Sequence, residues 1–493
     1  MKSRFFDDSN VSHIKIVGIF VIKLFVAFLL VKIYSKYYKD RSTADIFKYF
    51  DDSKYIYQSL FINPRHFLQL VFGYHCDAHY LDVYTAKTIN WKNQTDEYLK
   101  ATNSMNFHFF ESNRLMTRLN AIIRLFSFGI YSVHCIIILF IEMFGLFALF
   151  KVFKSFVSEN SKLLVLCIFF TPSILLWSSG ILKESIVFLG FGFFLYYFFS
   201  LQQTIKLKAI LGLLLSFIII LITKYYLIIA IIPSITAYYI AKKLNHKYLI
   251  MNYIIVNSVL LICVLNINCI YPTINPIEIL KKKQNIAIMS SKGGAYYTFN
   301  GRMKDTVYFS SDEMVHLNLQ KNISTLPKGI NYKFIRNGIL SNTFSQTTGD
   351  STLFYQLFYY SKAGSYIELE KINTHSFLDF LAIPKSIFNA ACQPLQLHKQ
   401  NPFVLLSFIE MLFVGLFLVL CFVFCKRTIA YKNELFFCIN LSLVLYLIIG
   451  LTTPVIGSIV RFRIFSLLLV LIAGLIILDG KKLKIFISKM SPF

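Results

Sequence analysis

The chain has 493 residues, of which 56% are hydrophobic, 17% aromatic and only 15% charged, with a formal net charge of +25. So much apolar surface excludes an ordinary soluble domain and points to an integral membrane protein. The positive charge would suit nucleic acid, but no zinc-finger, RRM-like or helix-turn-helix pattern accompanies it. No nucleic-acid partner is therefore expected, and a membrane surface with anionic head groups fits the lysines better.

Apolar runs near the length needed to cross hydrocarbon occur at 14–34, 128–150, 163–178, 184–201, 209–223, 225–241, 248–270, 403–425, 433–451 and 455–478. They predict an all-α polytopic protein of about ten transmembrane helices, because unpaired backbone groups cannot face lipid. Four middle runs are short enough to be tilted or re-entrant, so about eight to eleven passes fit. The first run is too long for a removed signal peptide and lacks a small-residue cleavage site.

Basic residues in the short loops set the orientation. With the N-terminus cytoplasmic, one side holds Lys151, Lys154 and Lys162, then Lys206 and Lys208, then Lys242, Lys243 and Lys247. The same side receives Lys426, Arg427 and Lys432, and the lysine-rich tail. Two long segments, 35–127 and 271–402, then lie outside; Lys281-Lys282-Lys283 runs against the trend, but long loops cross regardless of charge. The chain divides into an N-terminal transmembrane module (1–270), an external mixed soluble segment (271–402) and C-terminal transmembrane helices (403–493).

The first external segment opens with a helical period. Ile46, Tyr49, Phe50, Ile56, Tyr57, Leu60 and Phe61 share one face, which suits an interfacial helix. At about 100° per residue, Asp45 and Asp52 fall within roughly 20° of each other on the border of that stripe, and Asp51 lands on the wet face. Asp52 first, then Asp45, are the candidate catalytic bases, since desolvation at a membrane boundary raises a carboxylate toward general-base range. The same acids also suit a helix N-terminus or a solvated face.

Further along, His75, Asp77 and His79 would share one face of a strand and hold a divalent ion, whereas in a loop they are ordinary polar residues. Nothing else suggests a cofactor: no CxxC, HExxH or P-loop occurs. Of nine cysteines only Cys76 and Cys392 lie clearly in the external segments, where they could pair in an oxidising compartment. Arg114 and Arg118, at i and i+4 before the second span, suit either a phosphate clamp or interface anchoring.

Ionisable groups at membrane depth mark a site more often than not. His134 lies near the start of the second span, Lys183 and Glu184 at the outer end of the fourth, Glu410 about two turns into the eighth, and Arg461 and Arg463 in the last; Glu142 lies deeper. The topology brings Asp45, Asp52, Lys183, Glu184 and Arg461 to one external boundary. Acids beside bases there suit a lipid-phosphate site with a carboxylate to activate an acceptor. Structural ion pairs or snorkelling side chains would use the same residues.

Three stretches carry a resemblance: Tyr49-Phe50-Asp51-Asp52 after the first span, residues 172–184, and Arg461-Phe462-Arg463 in a late span. With the long first loop they make the chain resemble the GT-C superfamily of membrane glycosyltransferases, whose bacterial members carry an Arg-Tyr-Arg-x-Pro run. Residues 113–134, 172–184 and 453–463 are also similar to bacterial membrane proteins of envelope polysaccharide loci. Here Ile464-Phe465 replaces the expected proline position, and the loop acids are not an Asp-x-Asp or Asp-Glu pair.

The resemblance implies a multi-pass protein of the bacterial inner membrane. It would transfer sugar from a polyprenyl-phosphate donor to a lipid or glycan acceptor on the external face. Asp52 or Asp45 would act as base, and Arg461, assisted by Arg463 or Lys183, would bind donor phosphate. Glu184, Arg118 and His134 complete the candidate substrate-binding set. A polysaccharide polymerase or O-antigen ligase is the first rival, though its first loop should be short. A transporter or flippase is the second, but no internal repeat appears.

Overall fold

The computed structural model describes residues 4–8, 11–38, 40–89, 112–244, 248–271, 275–299, 302–310, 329, 331–336, 339–340, 343, 345–346, 354–360, 362–370, 382–394 and 402–490. Helices dominate. The major ones are α1 (His13–Tyr37), α2 (Asp45–Ile62), α3 (Pro64–Phe72), α4 (Ser112–Ser127), α5 (Tyr131–Val157), α6 (Ser161–Val165), α7 (Pro172–Trp177), α8 (Lys183–Leu201), α9 (Leu207–Lys243) and α10 (Leu249–Leu265). They continue as α11 (Pro276–Lys292), α12 (Ala382–Cys392), α13 (Pro402–Val423), α14 (Lys432–Thr452), α15 (Ile456–Phe462), α16 (Ile464–Ile477) and α17 (Gly480–Met490).

Among the described residues six helices are long and apolar enough to cross a membrane: α1, α5, α8, α9, α13 and α14. The pair α15–α16, bent by 54°, makes seven if it is one span. The chain is thus a helical, multi-pass membrane protein, with fewer full-length spans than the ten expected. The expected third run breaks where Leu166–Phe170 winds into a π turn ahead of Pro172, and the seventh, α10, has only 17 residues. Two others, 209–223 and 225–241, are joined in the single element α9.

That element is a hairpin. A straight helix of 37 residues would run about 55 Å, yet its contacts with α8 reverse at Lys224, whose φ of −147° and ψ of 78° are extended. Before Lys224 the two run antiparallel: Gly212 lies against the Tyr197 ring, and Gly190 against Ile219 and Ile220. After it they run parallel, Tyr238 meeting Phe198 and Phe199, and Lys242 donating to Gln202 at 3.0 Å. The turn therefore places Lys224 beside the start of α8.

Tight packing follows from small residues where dispersion has to do the work of hydrophobicity. Helices α5 and α8 approach so closely at Gly145 and Gly192 that a Cβ on either would run into the other helix's backbone. Around them lies one continuous core rich in Phe, Leu and Ile, including Phe147, Phe150, Phe188, Phe191, Phe465 and Leu468.

The described parts of both long segments sit at one end of this bundle. The first is capped by local chemistry: Asn63 Oδ1 accepts from Arg65 N ahead of Pro64, and Gly73 at φ 75° ends α3. The second adds an antiparallel sheet to the helical fold, with β1 (Gly294–Phe299), β2 (Arg302–Ser310), β3 (Asn331–Arg336), β4 (Ile339–Leu340), β5 (Ser345–Gln346) and β6 (Phe354–Tyr360). Its order is β4-β3-β2-β1-β6, with β5 also on β3. Residues 365–367 lace this segment to the start of α15 through Ile367 N to Pro454 O and Ile456 N to Ser365 O.

Candidate functional site

Arg461 is the centre of the site, near the end of the short helix α15, just before the bend. Its Nε and Nη2 donate to the two Glu184 oxygens at 2.8 and 2.9 Å, and its Nη1 donates to Asp45 Oδ2 at 2.8 Å. A forked guanidinium suits this bidentate grip. Glu184 is fully buried in the first turn of α8, where the helix dipole favours a carboxylate. Lys224, at the α9 hairpin, donates to the same Glu184 Oε1 at 2.7 Å.

Two more cations flank the pair. Lys183 donates to Ser112 Oγ at 2.8 Å and stands 5.7 Å from the Tyr49 ring centroid; Lys48 lies 3.8 Å from Asp45 Oδ1. Four cations thus meet two carboxylates, and the excess is positive. Such a surplus in a partly desolvated setting favours an anionic ligand. Burial raises the Asp45 carboxyl, but Arg461 outweighs it by charge and hydrogen bond, and the net pKa lies below the ordinary aspartate value. Asp45 is ionised at neutral pH.

Arg461 also forms part of the wall of a cavity of about 230 Å³, lined with the aromatic rings of Tyr34, Tyr37, Tyr38, Trp177 and Phe403. Drug-sized ligand sites occupy roughly 300–1,000 Å³, so this space suits one head group or sugar ring. Gly364 and Ser365 from the second long segment close one side. Aromatic faces backed by a guanidinium are well matched to a polar ring carrying a phosphate.

The other sequence candidates have different surroundings. Asp52 is buried and accepts from Ile89 N at 2.8 Å, so it anchors the first long segment, a partner other than that of Asp45 despite their shared helical phase. Asp51 pairs with Arg41 at 2.7 Å near solvent. Arg463 diverges from Arg461: it is fully buried, donates to backbone carbonyls of Ala390, Ala391 and Gln393, and to Ser407 Oγ at 3.0 Å. It thereby satisfies the carbonyl end of α12.

Arg118 donates to Leu70 O at 2.9 Å and to Cys76 Sγ at 3.4 Å, and Arg114 to Asp77 at 2.7 Å. Both arginines are buried within the first long segment. His134 is enclosed between Ser127 Oγ and Asn120 Oδ1, each 2.7 Å away. Glu410 accepts from Ser173 N at 2.7 Å, at the start of α7. His79 faces Asp82 at 3.3 Å and Asp77 faces Arg114; among the described residues no group of three or more His, Cys, Asp or Glu side chains is placed to hold a metal. Cys76 and Cys392 are both free thiols rather than a disulfide.

Lys224 and Lys23 are the residues that sequence reasoning passed over. Lys23 interrupts the first apolar run with a cation, which is the signal that should have marked it, whereas Lys224 stands between the expected runs 209–223 and 225–241 and reads there as a short-loop lysine. Lys23 of α1 pairs with Glu142 of α5 at 3.0 Å, both fully buried, and donates to Ser178 Oγ at 2.7 Å. No family model, curated protein or solved structure matches the chain.

Proposed function

We propose that this chain is a membrane glycosyltransferase of the bacterial inner membrane, moving a sugar from a polyprenyl-phosphate donor to an envelope glycan or lipid acceptor on the external face. The observation that carries this reading is Arg461 gripped between Glu184 and Asp45 at the wall of an aromatic cavity, with spare cations around it. On this reading the N-terminus is cytoplasmic and the chain makes ten passes. They are the six long helices with α9 counted twice, together with α6–α7, α10 and α15–α16.

In the proposed reaction the acceptor hydroxyl oxygen attacks the anomeric carbon of the donor. The bond from that carbon to the phosphate oxygen breaks, polyprenyl phosphate leaves, and the hydroxyl proton passes to Asp45. Glu184 and Lys224 orient Arg461, whose guanidinium meets the phosphate charge that grows as the bond breaks. Donor phosphate draws Arg461 Nη1 from Asp45. That loss of a cationic partner raises the basicity of the carboxylate when it has to accept a proton. Asp45 thus takes the role for which Asp52 is the first candidate on sequence grounds. Lys183, beside Tyr49 and Ser112, adds charge to the phosphate side.

The test is complementation of a strain lacking the native gene with Arg461→Ala and Asp45→Asn, comparing envelope glycan at matched protein levels. Loss of the glycan in both is expected, and normal glycan in both would remove the assignment. Retained single-sugar additions with loss only of long chains would transfer it to a polymerase.

A further inference from the structure

The opposite end of the bundle holds a second cavity, of about 480 Å³, that the proposed transfer does not use. Lys426, Arg427, Lys481 and Lys482 line it together with Glu159, Asp479 and the rings of Phe156 and Tyr431, which stand 5.3 Å apart. Its floor is fixed by backbone. Cys425 bridges to Leu478, Lys426 N donates to Ile477 O and Asp479 N to Phe424 O, both at 2.8 Å. Asn160 Nδ2 closes the junction with bonds to Leu475 O and Leu478 O at 3.2 and 2.9 Å.

The carboxylates there are already engaged. Asp479 Oδ1 caps α17 by accepting from Lys481 N and Lys482 N at 3.1 Å, and its Oδ2 lies 3.4 Å from Lys482. Glu159 lies 3.3 Å from Lys481. That leaves two cations in surplus. Lys426 Nζ donates to Ile476 O at 3.0 Å, and Arg427 is exposed and makes no ion pair among the described residues.

We propose that this cavity binds the phosphate head group of an anionic membrane lipid. The surroundings favour a lipid over a dissolved anion, because the two stretches of chain that supply the cavity's cations also carry exposed apolar residues close by in sequence. They are Phe422 and Val423 at the end of α13, and Ile485 and Phe486 on the lysine-rich α17, with Phe424 and Phe486 packed 5.1 Å apart. Exposed apolar residues near a basic pocket between helices make the arrangement that holds an acidic head group while its chains stay in the bilayer. The site is independent of the glycosyl-transfer reading and survives its failure.

The experiment measures lipid retention by the purified full chain, using native mass spectrometry with phosphatidylglycerol, phosphatidylcholine and soluble glycerol 3-phosphate. Phosphatidylglycerol is expected to bind at least about tenfold more tightly than the other two. Lys426→Ala with Arg427→Ala should weaken it by about thirtyfold, the worth of two surface cations, whereas Lys206→Ala with Lys208→Ala at the same end should leave it unchanged. Arg427→Gln alone, on an exposed side chain, should cost about fivefold and reads the same site if the double variant fails to fold. Equal retention by the variants, or an equal loss in the Lys206/Lys208 control, would overturn the proposal. Glycerol 3-phosphate binding as well as the lipid would instead assign the cavity to a soluble anion.

Discussion

Arg461 and Arg463 are two residues apart, about 200° around a helix, and Arg463 is the junction residue at the bend between α15 and α16. One reaches carboxylates beside a cavity; the other ties down backbone carbonyls. Sequence spacing shows two cations in an apolar run but not which of them meets an acid. The same limit applies to Asp45 and Asp52. Their shared phase is visible in the sequence, while the Ile89 amide that occupies Asp52 comes from a fold-dependent contact. Because the folded pKa of Asp45 is lowered, its contribution to stability is fully present above the unfolded value of about 3.9 and is lost as pH falls through the folded value. The stability difference between wild type and Asp45→Asn, followed by thermal unfolding in detergent, should therefore be flat from about pH 5 to 8 and shrink below about pH 4. A difference that changed steadily across neutral pH would contradict the Arg461–Asp45 pairing.

At the scale of elements, buried charges and small residues hold the helices together. Lys23 and Glu142 join α1 to α5 with both side chains fully buried. Removing one partner leaves a buried charge uncompensated, so Glu142→Leu should cost about 3–5 kcal/mol. Adding Lys23→Met should recover most of that loss, since a matched apolar pair avoids the desolvation cost. Gly145→Ala, which thrusts a methyl group at the Phe188 carbonyl, should cost about 1–3 kcal/mol by forcing α5 from α8. Unfolding of the purified protein in micelles measures both. The apolar runs themselves were legible, since hydropathy alone locates α1, α5, α8, α13 and α14. The breaks were partly so: Pro172 announces the break before α7, and Lys224 falls between the two expected runs that form the arms of α9.

Over the whole molecule, the bundle separates two ends of different chemistry. One carries the described parts of both long segments, the second of them laced to the start of α15 beside Arg461 and its aromatic cavity. The other carries the basic short loops, with Lys426, Arg427, Lys481 and Lys482 lining the second cavity. The alternation of basic residues along the chain made this polarity readable from sequence. The sheet at 294–360 was not, because its segment lacks the regular alternation that marks strands with one buried face. If the Arg461 end serves glycosyl transfer, every donor leaves the same product whatever its sugar, namely polyprenyl phosphate. Its affinity for the purified protein in lipid nanodiscs is therefore the most direct measurement, made with the basic cavity silenced by Lys426→Ala and Arg427→Ala. Binding that weakens at least about tenfold in Arg461→Ala and is unchanged in Asp52→Asn is the expected result. Equal binding with and without Arg461, or none by the folded protein that retains it, would contradict the assignment.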